Sequence, residues 1–187
     1  MLCPYKIMLV HAKNTIGKRV VEMAGLAKIA VIKNIIVDPD NGNVLALSLG
    51  KKNTFGKEQV VSLKDITEFY SDGVLVRDHD SIVDADEIIK VKNVLDKKTN
   101  LFGSKVSTQN GDYLGFLEDF IFDTDMMFLA TITTRKKFSS EKRIINADRI
   151  MTILPGRIII RDIIEKARIK EKWEKAEKIA KLSPVVE

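Results

Sequence analysis

Cysteine is almost missing from this chain. Cys3 stands alone among 187 residues, which excludes an intramolecular disulfide and any Cys/His spacing for zinc. The two histidines, His11 and His79, are far apart in sequence. No stretch approaches the ~18 uninterrupted apolar residues of a membrane helix. The opening segment 1–10 lacks the basic start and small-residue cleavage site of a secretory leader. These absences point to a reducing, cytoplasmic setting. Glycine-rich phosphate loops and serine elbow motifs are missing too, and neither Cys3 nor His11 has an evident catalytic partner. No catalytic residue, cofactor or metal site is expected, and the chain does not read as an enzyme.

What is present is apolar and charged in nearly equal measure. Apolar residues make up 45% and charged residues 30%, too apolar for a disordered chain. Isoleucine and valine are abundant while aromatics reach only 6%, which favours β-rich cores of branched aliphatics. The net charge of +5 is uneven. Residues 1–96 hold 13 Lys/Arg and 13 Asp/Glu, whereas residues 97–187 hold 18 and 13. The whole excess lies in the second half, where it serves either solubility or an acidic partner such as nucleic acid.

The main signal is an internal repeat. Thr15–Val20 matches Leu101–Val106, and Asn34–Asp38 matches Asp119–Asp123. Leu45-Ala46-Leu47 matches Leu129-Ala130-Thr131, and Val61–Ile66 matches Ile145–Ile150. Asp72–Asp78 matches Pro155–Asp162, and the offset stays between 83 and 86 throughout. Each copy reads as short strands separated by turn signals. The densest signal is Asp38-Pro39-Asp40-Asn41-Gly42-Asn43. It is no calcium loop, because that needs glycine at position six and glutamate at twelve. Here glycine comes fifth and Leu49 twelfth. Leu45, Leu47 and Leu49 alternate and are expected to share one inward face. So many short strands in so few residues hide their edges best in a small barrel.

Two helices punctuate the pattern. Asp84–Glu87 resembles a capping box, and Ile88, Val91 and Leu95 then fall on one face. Asp162–Glu165 repeats that start, with a basic helix expected to run to about Leu182 before Ser183-Pro184. The fold class is therefore mainly β: two small barrels in tandem, each followed by an α-helix. The expected division is 1–83 for the first barrel, 84–99 for a helical linker, 100–162 for the second barrel, and 163–187 for a basic amphipathic helix and tail.

Three features are candidate contacts. Lys51 and Lys52 occupy a loop equivalent to Arg135, Lys136 and Lys137, and Phe55 or Phe138 follows each. Basic loops with an aromatic suit nucleic acid, while polar hairpin tips with the phenylalanine tucked inward are the plainer alternative. Met126 and Met127 replace the polar turn Asn41-Gly42-Asn43 and suit an adaptable apolar contact, internal or oligomeric. Ile169, Trp173, Ala176 and Ala180 form a narrow stripe. It fits docking on its own barrel, a homodimer, or a partner helix. His79 with Asp80 and Asp84 reads as surface chemistry at a strand exit.

The paired blocks resemble the PRC-barrel family. Ile16–Val20, Ile35–Gly42, Val61–Ile66 and Gly73–Val76 carry the likeness in the first copy. Phe102–Val106, Gly111–Phe116, Phe120–Asp125 and Gly156–Ile160 carry it in the second. The family includes the C-terminal domain of a ribosome maturation factor, which contacts a small-subunit ribosomal protein. It also includes the cytoplasmic domain of the photosynthetic reaction-centre H subunit and archaeal cell-division adaptors. This chain shows no transmembrane helix before either barrel, and its halves look alike, whereas the maturation factor pairs two different barrels. The resemblance implies assembly with protein partners of unknown identity. An RNA- or ribosome-associated factor using the basic second half is the alternative.

Overall fold

The computed structural model describes residues 9–25, 27–51 and 56–162. In chain order the elements are β1 (Leu9–His11), α1 (Ala12–Thr15), β2 (Arg19–Glu22), β3 (Lys28–Val31), β4 (Asn34–Val37), β5 (Val44–Lys51), β6 (Glu58–Ser62), β7 (Ile66–Tyr70), β8 (Gly73–Val76), β9 (Ile82–Asp84) and α2 (Ile89–Asp96). The second half adds β10 (Lys105–Thr108), β11 (Tyr113–Asp123), β12 (Phe128–Arg135), β13 (Lys142–Asn146), β14 (Ile150–Leu154) and β15 (Arg157–Ile160). The protein is mainly β. No described helix is long and apolar enough to cross a membrane.

In the second half one sheet runs β13-β12-β11-β10-β15-β14, with β1 paired to β11. The first half is split into β3-β2-β8-β7 and β4-β5-β6-β9. Joined across the short break between β3 and β4, these give the same strand order, with β9 added at one end. Parallel pairing occurs at the same place, β2 with β8 and β10 with β15. Three of the irregularities coincide as well, whereas the slip at Ser48/Gly50 between β5 and β6 has no counterpart between β12 and β13. The register slips at Val20/Val21 and at Val106/Ser107, at Ile36/Val37 and at Ile121/Phe122, and at Ile66/Glu68 and at Ile150/Thr152. A bulge bends and twists a strand at a defined point, so matched bulges mean matched curvature. No described sheet closes on itself: its terminal strands β13 and β14 are joined by a 3-10 turn, Ala147–Arg149, and not by ladder hydrogen bonds.

One of these bulges corrects the expected alternation in β5. Val37 pairs with Val44 and Ile36 with Ala46, leaving Leu45 as the extra residue. Leu47 and Leu49 therefore face the main core, while Leu45 packs with the cluster beneath α2. The equivalent extra residue in β12 is Ala130, because Phe122 pairs with Leu129 and Ile121 with Thr131. Leu129 thus occupies the place of Val44, one residue from its expected match to Leu45.

The main core runs through both halves without interruption. Val20, Ile35, Leu47 and Val74 share it with Val106, Phe120, Phe122, Leu129 and Ile158. Phe69 meets Phe122 edge to face at 6.1 Å across the halves, a favoured aromatic geometry. A smaller core lies on the outer face of β4–β6, where Ile36, Ala46 and Val60 are covered by Val91 and Val94 of α2. The buried stripe of that helix is Ile88, Val91 and Val94, whereas Leu95, expected inside, is exposed.

Candidate functional site

The turns after β4 and β11 start from the same local chemistry. Asp38 accepts a side-chain hydrogen bond from the Asp40 amide at 3.0 Å, and Asp123 accepts from the amides of Asp125 and Met126 at 2.8 and 3.0 Å. An aspartate bonding two residues ahead folds the chain back locally. The left-handed position falls on Gly42 (φ 76°) in the first turn and on Met127 (φ 52°) in the second. That conformation costs a non-glycine residue about 1–2 kcal/mol.

These two turns meet. The Val44 amide donates to the Met127 carbonyl at 2.8 Å, and the Leu129 amide donates to the Gly42 carbonyl at 3.0 Å. Asn43 and Phe128 form an antiparallel bridge between the two bonds. Gly42 corresponds to Met127, Val44 to Leu129, and Asn43 to Phe128. Each contact therefore maps onto the other when the halves are exchanged, as in an isologous two-fold interface. Met127, cited from sequence as a contact residue, packs against the shared core, whereas Met126 is 76% exposed.

A groove opens along this seam, lined by Pro39, Gly42, Phe128, Ala147, Ile150 and Met151 among others. It lies on the Gly42 side. A Cβ on Gly42 would already stand 3.4 Å from the Phe128 ring. Phe128 remains 38% exposed and Met151 49%, so apolar surface from β12 and β14 faces solvent beside the first half's turn. Sequence reasoning missed Phe128 and Met151, because nothing local signals which distant turn they will flank.

The basic loop is built differently from its sequence reading. Glu118 is the extra residue of a bulge in β11, and its carboxylate is largely buried. Arg135 engages it side-on, with Nη2 donating to Oε1 at 2.9 Å and Nε 2.8 Å from Oε2. Lys142 and Lys13 approach Oε1 at 3.3 and 3.5 Å. Burial pushes the Glu118 pKa upward. The Lys142 hydrogen bond and the charges of Arg135, Lys142 and Lys13 outweigh it, holding the pKa below the ordinary value. Arg135 is thus committed to an internal anion. Lys137 lies 5.3 Å over the Phe116 ring, while Lys136 and Phe138 are exposed, Phe138 fully. The phenylalanine does not tuck inward. Lys51 ends β5 in a different sheet. Lys52, Phe55 and the stripe Ile169, Trp173, Ala176 and Ala180 lie outside the described residues.

His11 bonds Asp119 at 2.8 Å, and the Lys13 amide donates to the same carboxylate at 2.9 Å. These contacts fix the first segment onto the second half's sheet. Among the described residues no three His, Cys, Asp or Glu side chains converge as a metal site.

The PRC-barrel domain model matches residues 9–94, from β1 into α2. Residues 9–94 are a PRC-barrel domain. The match spans the first half and includes the strand that pairs with the second. No curated protein matches the chain. α2 lies largely within the matched region and closes the outer face of that domain.

Proposed function

We propose that the protein is a non-enzymatic cytoplasmic adaptor, built from two copies of the PRC module, that holds a protein partner along the seam groove. The observation carrying this reading is the apolar surface of Phe128 and Met151, left open where the two halves meet. Apolar side chains gathered in a groove gain more from a partner than scattered ones do. Met126 stands at the neighbouring hairpin tip as an adaptable contact. The matched strand order and bulges support a doubled module. In nuclease-treated native extract, the Phe128→Asp/Met151→Asp chain should lose the protein partners that the unaltered chain retains. Ile89→Asp, on the exposed side of α2, should keep them. An identical partner set for all three would show that the seam holds no partner.

A second reading, RNA association, is favoured by one observation: Lys136 and Phe138 stand exposed together at the β12–β13 turn. A free aromatic beside a lysine offers a stacking surface and a phosphate contact. Arg135→Glu would also disturb Glu118, so the cleaner variant is Lys136→Glu/Lys137→Glu/Phe138→Ala. Binding to single-stranded RNA should fall steeply between ~50 and ~200 mM salt and vanish in that variant. Absence of binding at low salt would reject this reading.

A further inference from the structure

The outer face of the second half has no cover among the described residues. In the first half the corresponding face is Ile36, Ala46 and Val60, all buried beneath Val91 and Val94 of α2. The matched registers place Ile121, Thr131 and Ile144 at those positions. Ile121 and Thr131 are only partly buried, and Ile144 is 73% exposed. Leu9, paired with Asp123, extends the same face and is also exposed. The Thr131 hydroxyl oxygen is out of solvent and has no hydrogen-bond partner among the described residues. The sheet edge differs in the same way. β9 pairs with β6 through Gln59–Asp84, Val60–Val83 and Val61–Ile82, whereas among the described strands β13 pairs only with β12.

We propose that this face is the docking site of the chain's own segment 163–187, which takes on the second half the place that α2 takes on the first. Three observations select this occupant. The first half shows that a helix-borne apolar stripe is what covers this face of the module. The segment follows β15 directly, as the strand and helix that cover the first half follow β8. Its sequence spaces Ile169, Trp173, Ala176 and Ala180 as one stripe, comparable to Ile88, Val91 and Val94.

Trp173 is the single tryptophan of the chain, so its fluorescence reports this contact in the full-length protein. The unaltered chain should emit at short wavelength, resist acrylamide quenching, and do so equally at all protein concentrations. Ile144→Asp changes an already exposed side chain and should leave the far-ultraviolet dichroism intact. It should move the emission toward that of the unfolded chain and raise quenching several-fold. Ile144→Ala should give a smaller shift in the same direction, and Ile89→Asp none. A solvated emission in the unaltered chain would overturn the proposal. So would an emission insensitive to Ile144→Asp, which places Trp173 elsewhere. A shift that follows protein concentration would assign the face to a second copy and equally reject docking within one chain.

Discussion

The first half closes the outer face of β4–β6 with α2, and the second half presents the equivalent face, Ile121, Thr131 and Ile144, without a described cover. The halves differ again at one bulge. Lys33, between β3 and β4, donates its amide to the Ser48 carbonyl at 2.7 Å, whereas Glu118 at the corresponding position gathers Arg135, Lys142 and Lys13. They differ a third time at the seam, where glycine in one turn faces methionine in the other. Backbone plan is held constant while surface chemistry diverges. Strand order and bulges set the curvature that both halves need to share one core. The outer faces are free to acquire separate contacts.

Both halves depend on the shared core. Phe122 is fully buried and touches Phe69 of the other half. Phe122→Ala should cost about 3–5 kcal/mol and lower the denaturant midpoint of both halves together. A first half that keeps its own midpoint would show that the core is not shared. Gly115 is the next test. Its φ is 123°, and an added Cβ would lie 2.5 Å from the Arg135 carbonyl oxygen. Gly115→Ala should cost roughly 2–3 kcal/mol through strain and collision. Ala30, its counterpart opposite Val20, should tolerate Ala30→Gly at a cost of about 1 kcal/mol or less. Equal costs at the two positions would deny that the left-handed backbone of Gly115 and its approach to the Arg135 carbonyl set the second half apart.

The smallest effect concerns Glu118. Its folded pKa lies below the ordinary 4.5, so folding favours the ionised form. Its contribution is complete above the unfolded value and disappears as pH falls through the lower folded value. Glu118→Gln should cost about 0.5–1 kcal/mol near neutral pH, since its cationic partners are partly exposed. The difference from the unaltered chain should shrink in acid. A difference that persists unchanged at pH 2–3 would point to packing, not charge.

The β-strands were legible because their blocks carry side chains that must face inward, and in each half the pairings follow those blocks. The strand that was misaligned is the bulged one. Leu45-Ala46 and Leu129-Ala130 look equivalent as letters, yet the extra residue in each strand pairs Val44, not Leu45, with the role of Leu129. A bulge leaves no compositional mark here. The choice of Val94 over Leu95 on α2 depends on the rotation at which the helix meets the sheet, which periodicity alone leaves open by one residue. The Met126-Met127 turn stood out as unusual, but its inward partner did not. Contacts between positions so distant in sequence arise only from the fold. For the same reason the basic loop read as free charge, although Arg135 is bound to Glu118.

Two halves of matching strand order meet at a two-fold seam of paired hydrogen bonds, and the candidate groove opens along that seam. Native-state hydrogen exchange at the Val44 and Leu129 amides tests it most directly, since each donates one of the two equivalent bonds across the seam. Both amides should exchange only by global unfolding, with the same free energy and the same denaturant dependence as the buried amides of β5 and β12. Fast exchange at both sites, with the two halves opening at different free energies, would contradict the seam.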